Sequence, residues 1–95
     1  MKSQKVLEAA IKVLFMREEQ YGSPEKNLGA IAEYWSIHLD KEITASDVAT
    51  MLELMKIARR KNDPTYEDNY KDAAGYAALG FQVSQAVEEL DKEKS

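Results

Sequence analysis

DNYKDAAGYAALG, residues 68 to 80, decides how this chain is read. The stretch has no alternation of apolar and polar residues, so it is not a half-buried strand. Asp68, Asp72 and Tyr76 recur at helical spacing, with alanine and glycine where a bundle helix would carry leucine. Glycine inside a helix costs about 1 kcal/mol relative to alanine. Close approach of a neighbouring helix along Ala73, Ala74, Ala77 and Ala78 offsets that cost. The stretch therefore predicts a helix with a small-residue face, packed against other helices.

Working outward, the same periodicity fills the chain. A fourth helix spans about 65–90, opened by Thr65 and Asp68 at capping-box spacing. Pro64 sets the break before it, because the residue ahead of a proline disfavours helical geometry. A third helix spans about 45–61. Thr44 and Asp47 form its capping box, and Val48, Met51, Leu52, Met55 and Ala58 form its inward face. A second spans about 28–39, with Asn27 as N-cap and Leu28, Ile31, Ala32, Trp35 and Leu39 as its stripe. The first spans about 3–21, striped by Val6, Leu7, Ala10, Ile11, Leu14 and Phe15. It ends at Gly22, with Pro24 blocking continuation. Short loops imply antiparallel neighbours. The fold class is all-α: a small bundle of four antiparallel helices in a single domain, 1–95.

Composition bounds the function. The chain has 95 residues, 44% hydrophobic and 32% charged, as in an ordinary folded domain. A domain of this size hides only about 60–65% of its unfolded surface, so a homo-oligomer is a natural source of further stability. A net charge of −4 argues against general nucleic-acid binding. The absence of cysteine excludes disulfides, thiolate metal sites and thiol nucleophiles. No continuous apolar run suggests a signal peptide or a membrane span, which makes the cytoplasm the expected location. A helix-turn-helix regulator has only KIARRK, residues 56–61, in its favour, and the acidic balance counts against it.

Several side chains are candidates for chemistry. Asp68 and Asp72 are four apart and share a helix face. Close carboxylates repel, and a divalent cation with its preference for hard oxygen ligands relieves that repulsion. Completing a Mg²⁺ site needs a further acid, and Asp47 and Glu53 are the donors on the third helix. Glu18 and Glu19 on the first are the others. Asp47 has a capping role as well. Lys56, Arg59 and Arg60 cluster in the last turns of the third helix, where cations also suit the helix dipole. Arginine forks match phosphate oxygens, and Arg17 is a further candidate. Trp35, Tyr76 and Tyr21 are candidates for stacking on a base, or else half-buried core residues with a polar rim. His38, the sole histidine, lies near a helix C-terminus. An ExxD spacing at Glu88 and Asp91 falls in a polar tail and is set aside.

REEQYG (17–22), Asn27, IAEYW (31–35), ITASDVATMLELMKIAR (43–59) and DNYKDAAGYAAL (68–79), in this order, resemble a family of small uncharacterised proteins from phages and prophages. More distantly, the chain is similar to the MazG-like all-α nucleotide pyrophosphohydrolases. Those are helical, oligomeric and Mg²⁺-dependent, and carry ExxE on one helix and ExxD on a later one. Here the corresponding helices offer Asp47 and Glu53, then Asp68 and Asp72, at other spacings. The resemblance implies a nucleotide ligand. Those acids would hold Mg²⁺, Lys56, Arg59 and Arg17 would meet phosphates, and Trp35, Tyr76 or Tyr21 would meet the base. The competing expectation is a non-enzymatic helical module that self-associates or docks to a phage or host protein.

Overall fold

The computed structural model describes residues 2 to 94, with side chains described for residues 2 to 85. Four helices follow one another: α1 (Lys2–Tyr21), α2 (Pro24–Leu39), α3 (Ala45–Asn62) and α4 (Glu67–Lys94). The all-α reading holds, and the loops are as short as expected. The ExxD spacing at Glu88 and Asp91 lies outside the residues whose side chains are described.

The ends of the helices follow local chemistry. Gly22 takes φ +81° and closes α1 through its N–H to the Glu18 carbonyl, 2.9 Å. The cap of α2 is Ser23, not Asn27, and its hydroxyl accepts from the Lys26 N–H at 3.3 Å. Pro24 does not merely stop α1. It opens α2, at a position whose N–H has no helical partner to lose. Asp40 ends α2 in the left-handed region at φ 53°. Ser36 then ties the α2–α3 loop down, its hydroxyl accepting from the Ile43 N–H at 2.8 Å and lying 2.7 Å from the Ala32 carbonyl. The Thr44–Asp47 capping box forms in full, with both bonds at 3.0 Å.

α4 is the spine, and α3 packs most extensively against it. The contacts between them run antiparallel. Ser46 meets Ser84 hydroxyl to hydroxyl at 3.1 Å, a Cβ on Gly80 would lie 3.5 Å from that of Ala49, and Lys56 meets Asp72 at 2.9 Å. α1 packs on a different flank of α4 and runs in the same direction as it. Lys5 and Val6 lie beside Thr65 and Tyr70, Leu14 beside Gly75, and Arg17 over Tyr76. α1 and α2, although consecutive, touch little beyond their elbow.

The core consists of Leu28, Ala32, Val48, Ala49, Leu79 and Val83, with Leu14, Trp35, Leu52 and Tyr76 packed around it. Small residues let α3 and α4 approach closely, so the inward face of α3 is Val48, Ala49 and Leu52. Met51, Met55 and Ala58, expected inward, are exposed. On α1, Ala10 is buried and Leu14 half-buried, whereas Leu7, Ile11 and Phe15 are 57%, 53% and 68% exposed. Leu39 is exposed as well. Among the described residues, no helix is long and apolar enough to cross a membrane.

Candidate functional site

The polar side chains singled out by the sequence meet mainly along α4. Asp72 reaches α3, where its Oδ2 accepts from Lys56 Nζ at 2.9 Å. One turn earlier, Asp68 accepts from Lys71 Nζ and from the Tyr66 hydroxyl, both at 2.9 Å. These bonds hold the Asp68 carboxyl below its ordinary range, the Lys71 contact contributing most. The same bonds raise the Lys71 ammonium and the Tyr66 phenol, each chiefly through Asp68.

On the other flank, Arg17 of α1 lies over two aromatic rings, 5.5 Å from the centroid of Tyr21 and 5.6 Å from that of Tyr76. Arg60 covers Tyr70 at 4.9 Å, and the Tyr70 hydroxyl donates to the Pro64 carbonyl at 2.7 Å. The arginine–tyrosine contacts pin the ends of α1 and α3 onto α4.

Not every candidate joins this cluster. Asp47 is consumed by its capping box, about 13 Å along the α3 axis from Lys56. Glu53 is half-buried on α3, and Trp35 packs on the core from α2. Arg59 borders an open depression with Lys56, Asp68 and Tyr66, together with the buried Asn69. Among the described residues, no three His, Cys, Asp or Glu side chains converge in a way that would hold a metal. The donor set does not fit Mg²⁺: each aspartate already faces an ammonium, and the cation needs several oxygens.

Several hollows border α4, and the open depression at Arg59 measures about 340 Å³. One, of about 60 Å³, is lined by Val13, Leu14, Arg17, Lys71, Asp72 and Tyr76. Small-molecule sites usually enclose roughly 300–1,000 Å³, so this one is far short of a nucleotide's volume. A larger hollow of about 190 Å³ lies between α1 and α4, lined by Ile11, Leu14, Phe15, Ala78, Leu79 and Gln82. Lys71 was not among the sequence candidates, though its place three residues after Asp68 is the spacing of a helical ion pair.

Fold and cluster together define a small all-α protein in which Asp72 ties α4 to α3 and Asp68 pairs with Lys71 on α4 itself. The chain belongs to the family described as a domain of unknown function (DUF6378), whose pattern matches residues 5–84. It is similar to the Gene 55 protein of Mycobacterium phage D29, 42% identical over 76 residues, covering 79% of this chain and 50% of that protein. It is also similar to the Gene 55 protein of Mycobacterium phage L5, 38% identical over 64 residues, covering 66% and 41%. The chain thus spans about half the length of these relatives. No solved structure matches it.

Proposed function

We propose that this protein is a non-enzymatic helical interaction module whose working surface is the outer face of α1. One observation carries the reading. Leu7, Ile11 and Phe15 succeed each other at one-turn intervals on a single face, and each is more than half exposed. Four of the eight buried apolar residues among those described are alanines, and of α1 Leu14 packs against the core while Leu7, Ile11 and Phe15 face outward. Single exposed leucines need no explanation, but a continuous stripe does. This one presents apolar surface on the order of 300 Å², the core of a modest interface of about 800 Å² per partner.

The nucleotide reading asks for acids of two helices around one cation beside a pocket of nucleotide size. The depression at Lys56, Arg59 and Asp68 has the volume but is open to solvent, and its Asp68 is paired with Lys71, so it supports this reading less well than the stripe supports docking.

The experiment is footprinting with a diffusible carbene probe. In the purified chain at high dilution, Leu7, Ile11 and Phe15 label heavily. Within the cell that produces the chain, they are protected relative to Tyr34 and Ile37, which are exposed on α2. Equal relative labelling in both settings overturns the reading.

A further inference from the structure

We propose that the partner of this stripe is a second copy of the chain, its α1 laid antiparallel against the first about a twofold axis through Ile11. The proposal rests on the interaction-module reading and names its occupant.

The pattern of α1 inverts about residue 11. A twofold there sets Ile11 on the partner's Ile11, Leu7 on the partner's Phe15, and Gln4 on the partner's Glu18. Apolar meets apolar in the centre, and polar meets polar at both ends. At 100° per residue, Lys5, Glu8, Lys12 and Glu19 fall together on the flank of the stripe away from α4. An antiparallel twofold brings that flank of one copy beside the same flank of the other.

The signs then match. Glu8 lies about 4.5 Å before Ile11 along the axis, and Lys12 about 1.5 Å after it. Symmetry places Glu8 within about 3 Å, axially, of the partner's Lys12, and Lys5 within about 3 Å of the partner's Glu19. Each pair occurs twice. The two Lys12 side chains also come within about 3 Å of each other axially, each with the partner's Glu8 beside it, whereas a parallel arrangement in register would set like on like at all four positions. All four residues are exposed, and among the described residues the ion pairs formed within the chain use none of them. The 190 Å³ hollow beside Phe15 lies at the level that the partner's Leu7 would occupy.

The chain lacks cysteine, so one introduced thiol is unique. Ile11→Cys treated with a short bis-maleimide at micromolar concentration is expected to give a covalent dimer. Tyr34→Cys on α2 is expected to give none. Glu8→Lys alone and Lys12→Glu alone each weaken dimerisation about tenfold in sedimentation equilibrium. The double exchange Glu8→Lys/Lys12→Glu restores it, because each position 8 again faces the opposite charge at the partner's position 12. Circular dichroism checks that every variant stays helical.

A chain that is monomeric at all concentrations, or dimers that Ile11→Cys does not link, overturns the proposal. So does a double exchange that fails to restore association. If the stripe is still protected in the cell in these cases, the module reading stands and the occupant is a different polypeptide. If protection is lost too, both fall.

Discussion

Lys56 Nζ stands 2.9 Å from Asp72 Oδ2 across the α3–α4 seam, with the two side chains only 13% and 25% exposed. Removing one partner strands the other charge in a mostly desolvated place. Asp72→Ala is therefore expected to lower stability by about 2 kcal/mol, between the cost for a surface pair and for a fully buried one. For a domain of this length that is a fall in Tm of roughly 8–16 °C. Lys56→Met/Asp72→Leu, which removes both charges and keeps the bulk, is expected to return within about 1 kcal/mol of the parent. Thermal unfolding of the two variants checks both figures. A carboxylate serving a cation would behave in the opposite way, since its removal would relieve repulsion.

The glycines of α4 have room for one more carbon. A Cβ on Gly80 would sit 3.5 Å from that of Ala49, and one on Gly75 would sit 3.9 Å from Leu14 Cδ2, both ordinary contacts. Gly75→Ala and Gly80→Ala are each expected to stabilise by about 0.5–1 kcal/mol through helix propensity. Gly80→Leu is expected to cost about 1–3 kcal/mol, because α3 has no space to give. Urea unfolding separates the cases through the midpoint at constant slope.

How far the sequence carried the fold can be followed residue by residue. Thr44 and Asp47 declared the start of α3, and Gly22 the end of α1, because caps are local chemistry. Asn27 reads as the cap of α2, but Ser23 takes that place, because Pro24 fits the first turn of that helix. Periodicity showed that α1 and α3 carry apolar stripes, but not which edge of each wide stripe turns inward. Alanines and glycines on α4 settled that by drawing Ala49 and Leu14 close and leaving Met51 and Ile11 outside. The packing of α1 along α4, more than fifty residues away, left no local mark.

The acids tell the same story. Asp68 has Lys71 three residues on, a pairing open to sequence reading. The partner of Asp72 is sixteen residues back on another helix, which no spacing rule reaches. Two aspartates one turn apart were legible as a shared face. That the face also meets Lys56 of α3 was not.

Nucleotides provide a direct check on the reading of the site. A ligand at 100 times its dissociation constant stabilises by about 2.7 kcal/mol, several degrees or more in a domain this small. Nucleoside triphosphates, with or without Mg²⁺, are expected to leave the melting temperature unchanged. The measurement is a thermal-shift series over the four bases. A shift of several degrees that needs Mg²⁺ and disappears in Asp72→Asn would restore the acids to a ligand-binding role.

Ser36 holds the α2–α3 loop by a single hydroxyl. It accepts from the Ile43 N–H at 2.8 Å, and its own proton has the carbonyls of Ala32 and Ile43 within 2.7 and 3.1 Å. Ser36→Ala leaves the Ile43 N–H without that acceptor in a half-buried position and is expected to cost about 1–2 kcal/mol. Amide exchange is the sharper readout. The Ile43 N–H should exchange much faster in the variant, while the Val48 N–H, bonded to the Thr44 carbonyl at 3.0 Å, changes little.

The pH dependence follows from Asp68. Its carboxyl is held below the ordinary range, first by the hydrogen bond from Lys71 and then by that from Tyr66. A group that binds its proton less tightly when folded stabilises the fold above its unfolded pKa, near 4. That contribution is lost as pH falls through the lower, folded value. Asp68 is substantially exposed, its side chain 44% accessible, so solvent screens the contribution and keeps it small. Stability of the parent is expected to decline as pH drops from about 5 toward 3, and Asp68→Asn to decline less steeply over the same window. Parallel urea titrations at pH 7, 5, 4 and 3 measure the difference. Equal slopes in the two proteins would mean that the Lys71–Asp68 contact is as weak in the folded chain as in the unfolded one.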